Sequence, residues 1–171
     1  GGIPGNRTTP IVVSICAAAG IIIPKTSSRA ITSAAGTADT IETIANVNLS
    51  YSELIRVVEK TGACLAWGGS LGLAPADDKL IRVERLLNLD PEPQLIASIM
   101  AKKISVGSKY VLIDIPCGKG AKVTRVRALK LRDKFIQVGK HFGIKMDIVL
   151  TDGKEPIGNG IGPVLEMIDV L

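Results

Sequence analysis

Hydroxyl side chains crowd one short stretch of this chain. Residues 27–42 read SSRAITSAAGTADTIE, with Ser27, Ser28, Thr32, Ser33 and Thr37 set among small residues. A short apolar run at residues 20–24 precedes them, and an amphipathic segment begins near Thr37. The order of strand, small hydroxyl-rich loop and helix start suits an anion. Small side chains let the backbone approach a phosphate, hydroxyls donate to its oxygens, and free N–H groups at a helix start point at it. Arg29 adds a planar charged fork that matches phosphate or carboxylate. Ser and Thr also make ordinary caps and polar turns, so composition alone leaves both readings open. The expectation is that Ser28, Arg29, Ala30, Ile31, Thr32 and Ser33, with Thr37, surround an anion.

Other chemistry-bearing residues lie further along. Asp90 precedes Pro91 and is expected to cap a helix there. Ser98 and Lys102 are spaced i, i+4 and share a helix face, which by itself describes a polar surface stripe. Lys122 sits in a glycine-rich loop, CGKGAK, whose Gly118-Lys119-Gly120 core lacks the phosphate-loop consensus. Residues 158–162, GNGIG, are not the dinucleotide fingerprint either. Asp77 and Asp78 are adjacent, so on a helix their carboxylates diverge, and a solvated helix end is expected. Asp114 lies inside an apolar run and is either structural or at a pocket edge. His141 is the sole histidine, which argues against a Ser-His-Asp triad or a histidine-rich metal site.

These residues need elements to hold them. Thr9-Pro10 reads as a helix start and Gly20 as its stop. Residues 21–25 read as a short buried strand, and Ser50 with Glu53 as a capping box for a helix to about Lys60. Residues 63–67 are strand-like, 77–87 and 91–104 helical. Residues 110–115 form a β-rich run ended by Pro116, 123–142 are helical, and 145–150 form another strand. Such alternation implies an α/β fold, a mostly parallel sheet flanked by helices, read as one domain over residues 1–171. Ligands in such sheets bind beyond the carboxyl ends of strands, so the loops at 26–36, 68–76, 117–122 and 151–162 are expected to form the pocket.

The chain has 171 residues, 46% apolar and 22% charged, which describes a globular protein with a sizeable core. Its net charge of +5 favours anionic partners. No basic run is interleaved with aromatics for base stacking, so nucleic acid is not expected. Cys16, Cys64 and Cys117 are odd in number and lack metal-ligand spacing, which fits a reducing cytoplasm. The apolar stretch at residues 11–23 is too short to span a bilayer, so no membrane partner is expected.

Several blocks carry a resemblance. They are SSRA, AGTAD and IE within residues 27–42, GGIPGNRTT at 1–9, SLGLAPADDK at 70–79, LIASIMAKK at 95–103 and LTDGKEPIGNGIGP at 150–163. In this order they resemble the thymidine and pyrimidine-nucleoside phosphorylase family, especially its archaeal AMP phosphorylase branch. The resemblance implies the catalytic-domain core of class II nucleoside phosphorylases. It also implies phosphorolysis of AMP to adenine and ribose 1,5-bisphosphate, with CMP and UMP as further substrates. No cofactor or metal is implied; the partners are nucleotide and phosphate, and the full-length protein assembles as a homo-oligomer. Residue by residue, Gly2 matches a backbone contact to phosphate, with Thr9 nearby. Asp90, in LDPEP, matches the proton donor to the leaving base. Ser98 matches a contact to the base, with Lys102 for the pyrimidine branch, and Lys122 a substrate contact of the archaeal branch. Arg85 resembles a base-binding arginine of the pyrimidine branch. Asn6 and Pro4 depart from the thymidine branch, which carries Asp at the former. The match covers the middle of the family's polypeptide, so the chain is expected to be a fragment lacking the N-terminal helical domain and the C-terminal region. The alternatives are a thymidine or pyrimidine-nucleoside phosphorylase, and a phosphate-binding module without catalysis.

Overall fold

A computed structural model describes residues 2–31 and 34–171. They form two compact units, one of residues 1–4 and 90–156, the other of residues 5–89 and 157–171. Each is a β–α–β arrangement with its own two-stranded parallel sheet.

The second unit holds α1 (Thr8–Ala18), β1 (Ile23–Ser27), α2 (Thr37–Ile41), α3 (Tyr51–Thr61), β2 (Ala63–Trp67), α4 (Pro75–Leu87) and, from the far end of the chain, α7 (Pro163–Val170). β1 and β2 pair in parallel, Ile23 opposite Ala63 and Ser27 opposite Trp67. The crossover between them ends in α3, whose start is the expected capping box. Glu53 N–H donates to Ser50 Oγ at 3.3 Å, and Ser50 N–H donates to Glu53 at 2.8 Å. Gly62, at φ +74°, closes the same helix. Ala38, Ile41, Val47 and Met167 are the buried core here, with Leu65 and Trp67 packed against them.

The first unit holds α5 (Glu92–Ser105), β3 (Tyr110–Cys117), α6 (Arg125–His141) and β4 (Lys145–Asp152). β3 and β4 pair in parallel along their full length, Tyr110 opposite Lys145 and Cys117 opposite Asp152. α6 is capped by Thr124 and lays Ala128, Leu131 and Phe135 onto the sheet. Ile96 and Met100 of α5 and Val111 and Ile115 of β3 complete this core. A Cβ on Gly139 would stand 2.9 Å from Met146 Sδ and 3.1 Å from the Ile144 carbonyl oxygen, so glycine is what lets α6 approach β4.

Parallel strands flanked by helices agree with the sequence reading, but the strands form two sheets rather than one. Several boundaries also move. β1 begins at Ile23, and Ile21 and Ile22 are exposed, so the first strand is neither as early nor as buried as its apolar run implied. A two-stranded sheet has free edges on both sides, which leaves apolar residues near its ends uncovered. Pro116 does not end β3 but pairs opposite Thr151; an edge strand tolerates the missing N–H. α1 starts at Thr8 with Arg7 at the cap position and no side-chain cap. α5 has Pro91 at its cap position, again without a side-chain bond from that residue, so Asp90 stands one residue outside the cap position. Asp77, expected at a solvated end, is buried in the first turn of α4, where helix N–H groups favour a carboxylate. α7 has no counterpart among the sequence expectations.

Phe135 is 1% exposed at the centre of the first unit's core. Phe135→Ala is expected to cost about 3–5 kcal/mol, read as a fall in the urea midpoint at unchanged slope. A cost under about 1 kcal/mol would show that α6 does not depend on this contact.

Candidate functional site

The hydroxyl-rich loop leaves the carboxyl end of β1 and is closed from within its own unit. Gly36 packs on the loop backbone. A Cβ there would lie 2.5 Å from the Ser28 carbonyl oxygen and 2.6 Å from the Ala30 nitrogen, so only glycine fits without displacement. Ala38 N–H donates to that same Ser28 oxygen at 3.2 Å. Asp39 then gathers the loop: one of its oxygens accepts from Ala30 N–H and Gly36 N–H, each at 2.9 Å. Arg29 donates to Asp39 at 2.8 Å and grips Glu42 through both terminal nitrogens, at 2.6 and 2.7 Å. Its guanidinium also lies 4.9 Å above the Trp67 ring.

The electrostatics follow these contacts. Burial by itself pushes the Asp39 carboxyl up, but the Gly36 and Ala30 N–H groups and the Arg29 guanidinium outweigh it and hold the carboxyl below its ordinary value. Glu42 is likewise lowered by its bond to Arg29, and Arg29 is raised by Glu42 and then Asp39. The fork that the sequence offered to an anion is thus engaged by two carboxylates. Thr32 and Ser33 lie outside the described residues. Ser28 is exposed, and Ala30 and Ile31 are half-buried beside it. Ser27 Oγ, at the strand end, is buried and without a partner among the described residues. Thr37, the first residue of α2, donates its hydroxyl to Asn6 Oδ1 at 3.3 Å.

The remaining candidates belong to the other unit. Lys122 N–H donates to the Gly2 carbonyl at 2.7 Å, and Lys122 Nζ pairs with Asp90. Gly2 sits at φ +102°, a conformation that favours glycine, with Pro116 beside it. Gly2, Asp90 and Lys122 therefore form one cluster. Ser98 and Lys102, on α5, are joined by a 2.9 Å bond from Lys102 Nζ to Ser98 Oγ. Next to Lys102, burial pushes the Lys103 ammonium down, and the Lys102 charge pushes it further. At the carboxyl ends of β3 and β4 a cavity of about 360 Å³ is floored by Cys117 and Leu150 and rimmed by Arg125, Asp152 and Lys154. Asp114 accepts the Thr151 hydroxyl across the same two strands at 2.7 Å. The four loops expected to line one pocket divide between the units. Arg82 and Arg85 are exposed on α4.

Sequence reasoning passed over a set of polar residues that the second unit brings together. Arg7 is 2% exposed and donates to Asp169 at 3.0 and 2.6 Å and to the Gly160 carbonyl. Asp169 also accepts from Gly160 N–H at 2.8 Å and Asn159 N–H at 2.9 Å, so the GNGIG run is held to α7 by a carboxylate. Those N–H groups, with Gly160 first and the Arg7 guanidinium next, keep the Asp169 carboxyl low. Glu166, buried on the same helix, accepts from the Asn6 backbone and side chain, both at 2.9 Å. The only sequence signal was the i, i+3 spacing of Glu166 and Asp169 after Gly162-Pro163. Among the described residues no cluster of three potential metal ligands occurs, and no helix is long and apolar enough to cross a membrane.

Parallel β–α–β units whose strand-end loops carry hydroxyls, glycines and cations define an α/β protein of the ligand-binding kind. The chain belongs to the glycosyl transferase family, a/b domain, whose model matches residues 5–114. It is 60% identical to a putative thymidine phosphorylase of Ralstonia nicotianae, over all of this chain and 34% of that protein. It is 58% identical to an AMP phosphorylase of Pyrococcus furiosus and 59% identical to one of Pyrococcus horikoshii, again over all of this chain and 34% of each relative. The chain thus spans about a third of the length of the relatives it matches.

Asp39 makes the loop's closure pH-dependent. Its folded carboxyl is held below the ordinary value, so the ionised form stabilises the loop above about pH 4, and that contribution is lost as pH falls further. Protection of the Ala30 and Gly36 amides from exchange is expected to hold down to about pH 4 and to fall below it. Asp39→Asn should exchange them roughly tenfold faster at neutral pH. Unaltered protection in that variant would mean that the loop closes without this carboxylate.

Proposed function

We propose that this chain supplies the phosphate- and nucleotide-binding part of an enzyme that phosphorolyses nucleoside 5′-monophosphates. Its preferred substrate is AMP, with CMP and UMP as further substrates. The observation that carries the reading is the cluster of Gly2, Lys122 and Asp90. The Asp90 carboxylate faces Lys122, whose backbone is tied to Gly2. The names of the Pyrococcus relatives support the nucleotide as substrate.

In this reading a phosphate oxygen attacks the anomeric carbon, the carbon–nitrogen bond to the base breaks, and its electron pair leaves with the base. Asp90 acts in this step as the carboxylic acid: it gives its proton to a ring nitrogen of the departing base, and Lys122 pairs with the carboxylate left behind and contacts the substrate beside it. A positioned acid of this kind contributes about 10²–10⁴-fold. Ser28, Arg29, Ala30, Ile31, Thr32, Ser33 and Thr37 hold a phosphate, with the Ser27 hydroxyl at the strand end before them; Gly2, in the other unit, contacts substrate by its backbone. Arg29 acts in this scheme through the loop it braces, since Glu42 and Asp39 occupy its fork. Ser98, already bonded to Lys102, contacts the base. The products are free base and ribose 1,5-bisphosphate, and the enzyme works in the cytoplasm as a homo-oligomer. A thymidine-type nucleoside phosphorylase is the second reading, favoured by the Ralstonia relative and by the Ser98–Lys102 pair.

Asp90→Asn tests the assignment in the protein that carries these residues. Asn keeps the shape but cannot give a proton, so adenine release from AMP should fall by about 10²–10⁴-fold while AMP binding stays within a few-fold. The exposed pair with Lys122 is worth about 0–1 kcal/mol, so the melting temperature should scarcely move. Turnover within a few-fold of wild type would place the proton donor elsewhere.

A further inference from the structure

Thr37 opens a helix of only five residues, too short to hold its own first turn in place. What holds it is a chain of bonds that ends in a buried carboxylate. Glu166 is 7% exposed, and its Oε2 accepts from Asn6 N–H at 2.9 Å, Asn6 Nδ2 at 2.9 Å and Thr40 Oγ1 at 3.4 Å. Asn6 Nδ2 also donates to the Ala35 carbonyl at 3.3 Å. A carboxylate and a carbonyl both accept, so the amide nitrogen of Asn6 must face them. Its oxygen is then left to Thr37, which donates its hydroxyl hydrogen. One amide thus ties together the loop at Ala35, the start of α2 and the buried acid on α7.

We propose that Asn6 and Glu166 are positioning residues that hold Thr37 and the loop before it in the arrangement that receives a phosphate, so that this pair sets phosphate affinity without touching the ligand. The proposal rests on the reading that residues 28–37 hold phosphate. The pair works because one member donates and the other accepts. An aspartate at position 6 would set a second carboxylate 2.9 Å from Glu166 with no hydrogen to offer it. Like charges at that distance, away from water, drive each other apart or force one to take a proton. The bridge to Thr37 then opens. A glutamine at position 166 opposite the natural Asn6, by contrast, keeps an oxygen that accepts from Asn6 and leaves the bridge closed.

The test is the dissociation constant of inorganic phosphate, by calorimetry, in the protein that carries these residues. Asn6→Asp should weaken phosphate about tenfold near pH 7. Glu166→Gln alone, whose amide oxygen still accepts from Asn6, should stay within about threefold of wild type. If Asn6→Asp does not fold, Asn6→Ala with Glu166→Leu removes both partners and leaves no orphaned carboxylate; once folded it should show the same tenfold loss. Wild-type affinity in either folded variant, Asn6→Asp or Asn6→Ala with Glu166→Leu, overturns the proposal. So does a folded Glu166→Gln whose affinity falls as far as that of Asn6→Asp, or a wild-type protein that binds no phosphate. Base release from AMP, measured alongside, separates the two readings. The affinity pattern without turnover in wild type leaves the pair standing and removes phosphorolysis; turnover with unchanged phosphate affinity does the reverse.

Discussion

Parallel strands cannot be joined by a tight turn. Each pair here needs a crossover, and the crossover decides where the loops fall. In one unit the chain leaves β1 at Ser27, passes through the hydroxyl-rich loop, α2 and α3, and returns as β2. In the other it leaves β3 at Cys117, passes the glycine-rich loop and α6, and returns as β4. Both loops therefore start at the carboxyl ends of their strands, where backbone N–H groups and short side chains are free of the ladder. Ser28 and Lys122 lie on these two connections, and Asp90, between α4 and α5, is met by the Lys122 side chain.

A loop in that position still has to be given one shape. Apolar burial does little of this work, since the residues concerned are small or polar. Carboxylates do it instead. Asp39 draws two backbone N–H groups and Arg29 together, Asp169 does the same for Asn159, Gly160 and Arg7, and Glu166 collects Asn6 and Thr40. Each sits on a short helix, and each accepts several donors, so its charge is spread over fixed partners rather than over water. The net positive charge of the chain thus coexists with loops braced from inside by acids.

The capping box at Ser50 and Glu53 was legible because both partners are three residues apart and act on the same helix. The parallel pairing of residues 110–115 with 145–150 was legible for a related reason: two short apolar runs with a helical pattern between them admit no tight turn. Less could be read where partners are distant. Glu166 and Asn6 are separated by almost the whole chain, and nothing local to either announces the other. Arg7 stands at the cap position of α1, yet its side chain leaves that helix for Asp169. The cap assigned to Asp90 failed by a single position, since Pro91 fits the cap conformation itself. Local grammar finds the elements; the residues that shape the loops answer to tertiary partners.

The central claim is that a nucleotide, and not a nucleoside, is split by phosphate. Its most direct measurement is the release of free base from AMP and from adenosine by the protein that carries these residues, each with and without inorganic phosphate. The account requires adenine from AMP only when phosphate is present, one ribose 1,5-bisphosphate formed per base, and release from adenosine slower by at least about tenfold, the share of a single lost charged contact. Equal release from adenosine and AMP, or release from AMP without phosphate, would contradict it.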